Sequence, residues 1–145
     1  MLDKLGARPL RLSDIALKIT HFSRGKWQRA RSLSKLTTTA DGGILAQVKA
    51  VLLVRERVSY ADDAFAEIVV WRLPSPRPGS RHLYKYRLAY VVGGDRVLRC
   101  DNETGKGDHR HFRGKEYEYT FRSIERVLMD FNNDVRGLND EDRST

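Results

Sequence analysis

Cysteine is nearly absent from this chain: Cys100 is the only one among 145 residues. A single cysteine cannot form an intramolecular disulfide, and it cannot supply the cysteine-rich ligand sets of structural zinc sites. Disulfide-stabilised secreted folds and zinc-ribbon modules are therefore excluded. We expect Cys100 to be a small buried filler of the core rather than a nucleophile.

Long hydrophobic runs are also missing. The longest, AVLLV, covers residues 50–54 and is far shorter than the roughly 20 apolar residues that a membrane span requires. The N-terminal residues lack the apolar core that is typical of a secretory signal. The sequence therefore predicts a protein that has no membrane partner and works in the cytoplasm.

Positive charge is abundant and unevenly distributed. The chain has 27 Lys and Arg against 19 Asp and Glu, a formal net charge of +8. A basic balance favours a polyanionic partner such as RNA, or an acidic protein. The charge pattern divides the chain into a basic N-terminal extension (1–46), one folded domain (47–138) and an acidic, frayed tail (139–145).

The extension has one helical pattern. Ser13 can cap a helix whose Ile15, Ile19 and Phe22 lie on one face. Residues 24–43 then run basic and polar around Trp27. Two interpretations remain open for this part: an arm that binds nucleic acid, or a solvated extension.

From residue 47 onward the pattern has the two-residue period of β-strands. Residues 48–60 and 64–73, joined by ADD, predict one hairpin, and residues 83–92 and 96–102, joined by GGD, predict a second. The three prolines of PSPRPGSRH, residues 74–82, predict a stiff loop because proline fixes φ and has no amide hydrogen.

The pattern ends with an edge strand and a helix. KEYEYTF, residues 115–121, is a candidate edge strand, and Ser123 can cap the helix that follows. The sequence thus predicts one α+β domain: an antiparallel sheet of four or five strands with a C-terminal helix packed on one face. We expect Trp71 and the tyrosines of the third strand in the core. The helix stripe comprises Ile124, Val127, Leu128, Phe131 and Val135.

DNETGKGDHRHF, residues 101–112, carries the densest chemistry in the chain. It is not a P-loop, because that motif needs a glycine at the position of Cys100 and a Ser or Thr at the position of Gly107. Its two glycines and lysine are compatible with a local nest of backbone amides that binds an anion. It is also compatible with an ordinary polar surface turn.

Two histidines give this stretch its possible reactivity. Histidine is the usual residue for general acid–base catalysis at neutral pH, so His109 and His111 are candidates for this role, with Asp101 or Asp108 orienting an imidazole. A metal site built from Asp108, His109 and His111 is the alternative. No cofactor is expected. The candidate phosphate-binding cations are Lys85, Arg87, Lys106 and Arg110, and the other candidate substrate-binding residues are His82, Asn102, Gly105 and Gly107.

The run LPSPRPGSRHLYKYRLAYVVGGDRVLRCDNETGKGDHRH, with the later YTFRSIERVLMDFNNDV, resembles the TumE-like family of bacterial toxin–antitoxin toxins over about residues 48–138. The most specific part is Asp101-Asn102-Glu103 with Gly105-Lys106-Gly107-Asp108-His109 and His111. The resemblance implies a toxin that is neutralised by a cognate antitoxin, which in this family generally has a helix-turn-helix.

Together these observations predict a toxin that acts on RNA as a metal-independent ribonuclease, with residues 101–112 as the active loop. Two alternatives remain open. The first is a non-catalytic module that binds RNA or protein and inhibits by occupancy. The second is a metal-dependent nuclease or nucleotidyl transferase on the same residues.

Overall fold

A computed structural model describes residues 14, 15, 17 and 49–144 of the chain. The helical prediction for the extension is tested only at Asp14, Ile15 and Leu17, which are helical, and Ile15 is fully buried in the core. Ser13, Ile19, Phe22 and the basic stretch 24–43 lie outside the described residues. The elements are β1 (Val51–Ala61), β2 (Ala64–Arg72), β3 (Tyr84–Val92), β4 (Asp95–Glu103), β5 (Gly107–Phe112), β6 (Lys115–Glu118) and α1 (Ile124–Arg143).

The six strands form one antiparallel sheet in the order β1-β2-β3-β4-β5-β6. The predicted α+β class is confirmed, but the strand count of four or five is wrong. The additional strand is β5, which comes from the stretch that we interpreted as a loop. Residues 101–112 are the arms of a tight β4–β5 hairpin, with Gly105 and Gly107 at positive φ around the turn.

The predicted hairpin turn between β3 and β4 is confirmed. Gly93 and Gly94 have φ of 57° and 87°. Positive φ at both central residues is what a two-residue type I′ hairpin turn requires. The prolines of the β2–β3 connection lie outside the strands, as expected.

The C-terminal helix is confirmed with its cap and its stripe. The Ser123 hydroxyl accepts a hydrogen bond from the Arg126 amide at 3.1 Å, which satisfies one of the unpaired amides of the first turn. The helix packs on β3 and β4. All five predicted stripe residues are at most 1% exposed: Ile124, Val127, Leu128, Phe131 and Val135.

The sheet therefore has an inner face, which packs on α1, and an outer face. Tyr86 and Tyr90 of β3 point inward and are buried, as predicted. Cys100 is also buried on the inner face, and burial raises its pKa to about 12, which makes it a poor nucleophile at neutral pH. None of the described helices is long and apolar enough to cross a membrane.

The core assignment of Trp71 is wrong. Trp71 lies between Val70 and Arg72, and Val70 is fully buried on the inner face. Because successive side chains of a strand point to opposite faces, Trp71 lies on the outer face, where it pairs with Lys85 of β3. The sequence did not indicate which face Trp71 occupies, because both faces of β2 carry apolar residues.

Candidate functional site

The candidate site residues do not form one cluster, because strand alternation sends neighbours to opposite faces. The turn between β4 and β5 holds Gly105 and Lys106, and Gly107 begins β5. The others divide between the faces. The outer face has Lys85, Arg87, Asp101, His109 and His111, and the inner side has His82, Asn102, Asp108 and Arg110.

Three of the outer-face residues are direct neighbours across the strands. Arg87 of β3 pairs with Asp101 of β4, and Asp101 pairs with His109 of β5. Direct partners of this kind have Cβ atoms about 4.5–5.5 Å apart. We call these three residues the Asp101 row. The same line of partners continues to Glu118 on β6.

Asp101 is the buried centre of the row, with only 7% of the residue exposed. The Arg99 guanidinium donates to its Oδ2 at 2.6 Å and also to Glu103 at 3.1 Å. Among the described residues the other oxygen, Oδ1, has no hydrogen-bond partner although it is buried. A buried carboxylate with one unused acceptor is an unusual arrangement, because such groups are normally satisfied.

His109 has its hydrogen-bonding pattern set by the backbone. Its Nδ1 lies 3.1 Å from the Gly107 carbonyl oxygen, which can only accept, so Nδ1 carries the hydrogen. In the neutral ring, Nε2 therefore has the lone pair. Nε2 lies 3.6 Å from the Glu116 carboxylate of β6, which stabilises the ring once a proton has been taken up.

His111 lies on the same face as His109, two residues further along β5. Two residues of a strand span about 6–7 Å. His111 is partly buried, and its direct cross-strand partners are Arg99 and Glu116. The two histidines therefore flank a short stretch of outer face, and Glu116 is close to both.

The inner side holds a second group, which we call the His82 clamp: His82, Tyr86, Asp108 and Phe121. His82 Nε2 lies 3.0 Å and 3.2 Å from the two Asp108 oxygens, and its Nδ1 accepts from the Tyr84 amide at 3.1 Å. The Tyr86 hydroxyl donates to Asp108 at 2.7 Å. Phe121 stacks on the imidazole, with ring centroids 3.6 Å apart.

Both ring nitrogens of His82 make hydrogen bonds within the protein, so this histidine links the start of β3 to β5. Burial and the bond to Asp108 raise the pKa of Tyr86 well above its usual value, so the phenol stays a donor. Asp108 is thereby committed to His82 and Tyr86. It lies on the opposite face from His109 and His111 and does not orient either ring.

The position of Asp108 on the opposite face from His109 and His111 also argues against the metal site. Asp108 and the two histidines of β5 cannot converge on one ion from opposite faces of a strand. Within the part of the chain that the structure describes, no three His, Cys, Asp or Glu side chains cluster in a way that would hold a metal ion.

Asn102 and Arg110 also have structural partners on the inner side. The Asn102 side chain accepts from the Tyr86 amide at 3.0 Å and donates to the Tyr84 carbonyl at 2.7 Å. Backbone pairing between β3 and β4 stops at Arg87 and Asp101, and these two side-chain bonds take its place beyond that point. Arg110 donates to Asp134 of α1 at 2.7 Å, and this bond raises its pKa. Neither side chain reaches the outer face.

The β4–β5 turn packs against the proline loop through backbone contacts. The Gly105 amide donates to the Pro78 carbonyl at 2.8 Å, and the Lys106 amide donates to Glu103 at 3.3 Å. Those two amides are the ones that an anion nest would use, and both already have partners. The proline segment 78–82 and the turn thus meet, although more than 20 residues separate them in the chain.

Gly79 allows this close approach, and its replacement by alanine tests it. Gly79 has φ of +82°, and a Cβ there would lie 3.1 Å from both the Cα and the carbonyl carbon of Gly105. We expect Gly79→Ala to lower the free energy of unfolding by about 2 kcal/mol, from backbone strain plus the contact. Urea unfolding measures the loss.

Gly114→Ala is the matched control. Gly114 also has positive φ, +78°, but nothing lies within 4 Å of its added Cβ. This variant should lose only the strain, about 1 kcal/mol. Equal losses in the two variants would show that the contact between Gly79 and Gly105 contributes nothing.

The sequence reasoning missed three residues that shape these groups. Arg99 lies two residues before Asp101 on the same strand, so the two-residue period was a usable signal for it. Glu116 and Phe121 had no comparable signal, because their contacts with β5 and with the proline loop depend on tertiary structure.

Comparison with known proteins gives one match. A family model described as Toxin TumE matches residues 36–139, which is most of the chain and begins earlier than the resemblance noted from the motifs. No curated protein and no solved structure matches the chain.

Proposed function

This chain belongs to the TumE toxin family, and we propose that it is the toxin of a toxin–antitoxin pair and cleaves RNA by acid–base catalysis on the outer face of its sheet. The observation that carries the proposal is the Asp101 row with His111 beside it. It combines a cation, a buried carboxylate and two histidines on one surface.

The two histidines match the proton transfers of RNA cleavage. His109 Nε2, which has the lone pair, takes the proton of a 2′-hydroxyl, and the 2′-oxygen attacks phosphorus. The 5′-oxygen of the next nucleotide leaves with a proton from His111. The products are a 2′,3′-cyclic phosphate and a 5′-hydroxyl, so atoms and charges balance without a further reactant.

The carboxylates and cations have separate tasks in this scheme. Glu116 stabilises the positive charge that forms on His109. Asp101 positions Arg99 and aligns the row. Arg87 and Lys85 are exposed on the same face and bind phosphate, where they stabilise the charge of the pentavalent intermediate.

Lys106 has a peripheral part. Its ammonium group lies at the exposed turn, 3.9 Å from Glu103, with 62% of the side chain exposed. We assign it to flanking phosphates rather than to the reacting one. The inner-side residues His82, Asn102, Asp108 and Arg110 support the sheet and take no part in the chemistry.

The antitoxin is proposed to neutralise the toxin by covering the outer face. Arg55, Arg57, Lys85 and Arg87 are exposed there on β1 and β3. An acidic surface of the antitoxin complements these cations, and the family resemblance implies a helix-turn-helix in that partner. Association between such surfaces is salt-sensitive, because mobile ions screen exposed charges.

The proposal is tested with the purified chain and one single-stranded RNA, in parallel with a DNA of the same sequence. We expect cleavage of the RNA only, with a 2′,3′-cyclic phosphate end, and the same rate in the presence of a chelator. Loss of cleavage with the chelator would favour the metal-dependent alternative. Growth arrest in bacteria with intact RNA would overturn the nuclease assignment and favour inhibition by occupancy.

A further inference from the structure

Trp71 is a large aromatic residue on the outer face that the proposed chemistry does not use. It is only partly buried and belongs neither to the core nor to the partly buried hydrophobic residues packed against it. Its direct partners across the strands are Leu52 of β1, which is 37% exposed, and Lys85 of β3, which is exposed. No described element packs over it.

A partly exposed indole beside basic residues has a well-understood use. Bases of single-stranded nucleic acid stack on aromatic side chains, and nearby cations hold the phosphates between them. Lys85 is the direct partner of Trp71, and Arg87 is its diagonal neighbour, so both residues lie on the same face as the ring and within reach of it for long side chains. The combination of ring and cations fits a nucleotide better than either feature alone.

The position of Trp71 relative to His109 defines which nucleotide it would bind. The two residues lie on β2 and β5, three strand spacings apart, which is about 14 Å across the sheet. That separation is too large for the base of the nucleotide whose 2′-hydroxyl meets His109. A base on Trp71 therefore belongs to a flanking nucleotide, and Lys85 and Arg87 of β3 lie between Trp71 and His109.

We propose that Trp71 is a stacking platform for an unpaired base that flanks the cleaved bond, and that the substrate is consequently single-stranded RNA. This inference rests on the proposed function and specifies its substrate. Bases inside a duplex are stacked on each other and offer no face to an aromatic side chain, so a paired segment does not fill this position.

The test separates binding from cleavage. The full-length chain is prepared with Trp27→Phe, which leaves Trp71 as the only tryptophan, and with His109→Ala. The probe is a short single-stranded RNA with 2′-O-methyl groups, which has no 2′-hydroxyl to attack. Titration with this probe should quench the Trp71 fluorescence, and the same sequence as a duplex should bind at least tenfold more weakly.

Substitutions of Trp71 complete the test. Trp71→Ala should weaken binding by about ten- to hundredfold, whereas Trp71→Phe, which retains an aromatic ring, should lose much less. Phe65→Ala is the matched control, since Phe65 lies on the same face of β2 but is covered by the Arg57 guanidinium at 3.5 Å from the ring centroid. Its affinity for the probe should stay within about twofold.

The outcomes distinguish this inference from the proposed function. Unchanged binding in a folded Trp71→Ala variant, or absent quenching of Trp71 when the probe binds, would overturn the stacking platform even if RNA is cleaved. Quenching and Trp71-dependent binding by a chain that cleaves no RNA would uphold the platform and overturn the nuclease. Loss of antitoxin binding alone in Trp71→Ala would identify a protein interface and overturn the platform.

Discussion

Replacing His109 with alanine is expected to lower the rate of RNA cleavage by about two to four orders of magnitude, the usual contribution of a positioned general acid or base. The physical reason is local. The Gly107 carbonyl holds the hydrogen on Nδ1, so Nε2 is the only ring atom that can accept the proton of a 2′-hydroxyl. Initial rates with the purified protein measure the loss, and growth without antitoxin measures its consequence.

The fold should survive this change. His109 lies on the outer face and does not belong to the hydrophobic core cluster. Its polar contacts are with the Gly107 carbonyl and with Glu116, and 12% of its side chain is exposed. Circular dichroism and affinity for the 2′-O-methyl RNA should match the unmodified protein within about threefold. Glu118→Gln, which changes the other end of the same line of partners, is the control and should keep nearly full activity.

A folded His109→Ala protein that remains fully toxic and still cleaves RNA would remove His109 from the mechanism. If toxicity persists and no RNA is cleaved by either protein, inhibition by occupancy becomes the better description of the toxin. His111→Ala gives an independent test, because the scheme requires both rings and predicts a loss of similar size for each.

Asp108→Ala is expected to cause the largest loss of stability, about 3–5 kcal/mol in the free energy of unfolding. The side chain accepts from both His82 and the Tyr86 hydroxyl, and the carboxylate and the imidazole are each only 11% exposed. Its removal leaves two donors without an acceptor in a site where water cannot easily replace it, and each orphaned group costs about 1–3 kcal/mol. Urea unfolding should show a lower midpoint with an unchanged slope.

The double-mutant cycle with His82→Ala identifies the source of this loss. Because the two side chains act as one unit, the double variant should lose clearly less than the sum of the two single losses. Glu118→Ala, which removes an exposed carboxylate from the edge strand β6, is the control and should change stability by less than about 0.5 kcal/mol. Additive losses would mean that Asp108 contributes to stability independently of His82.

Activity in the same variants separates the two aspartates of the motif. Asp108 is expected to act on stability alone, so Asp108→Asn at a temperature where it remains folded should retain most of its cleavage rate. A strong loss of activity there, without unfolding, would return Asp108 to the catalytic group.

Much of the fold was readable from the sequence because its elements depend on local pattern. The stripe from Ile124 to Val135 has helical spacing, Ser123 has the side chain of a cap, and Gly93-Gly94 is the dipeptide that a tight hairpin needs. Each of these features is set by residues within a few positions of one another, so it could be predicted without knowing the tertiary structure. The family relationship is carried in the same way, by short motifs.

The division of the motif between two faces is a different matter. Asp108 and His109 are adjacent in the chain, and whether they cooperate depends on whether residues 107–112 form a loop or a strand. The polar composition of this stretch favoured a loop. Pairing with β4 and β6 made it a strand, and the two-residue period then placed the carboxylate and the imidazole on opposite faces.

The sequence by itself thus determined the helix, the strands other than β5, the basic character and the family, all of which follow from short-range pattern and composition. Only the tertiary structure decided which side chains meet. His82 contacts Asp108 because the proline loop packs against the β4–β5 hairpin. Asp101 lies between Arg87 and His109 because of the register of neighbouring strands. Those contacts have no local signature, since the free energy that selects them comes from burial and hydrogen bonding across the whole sheet.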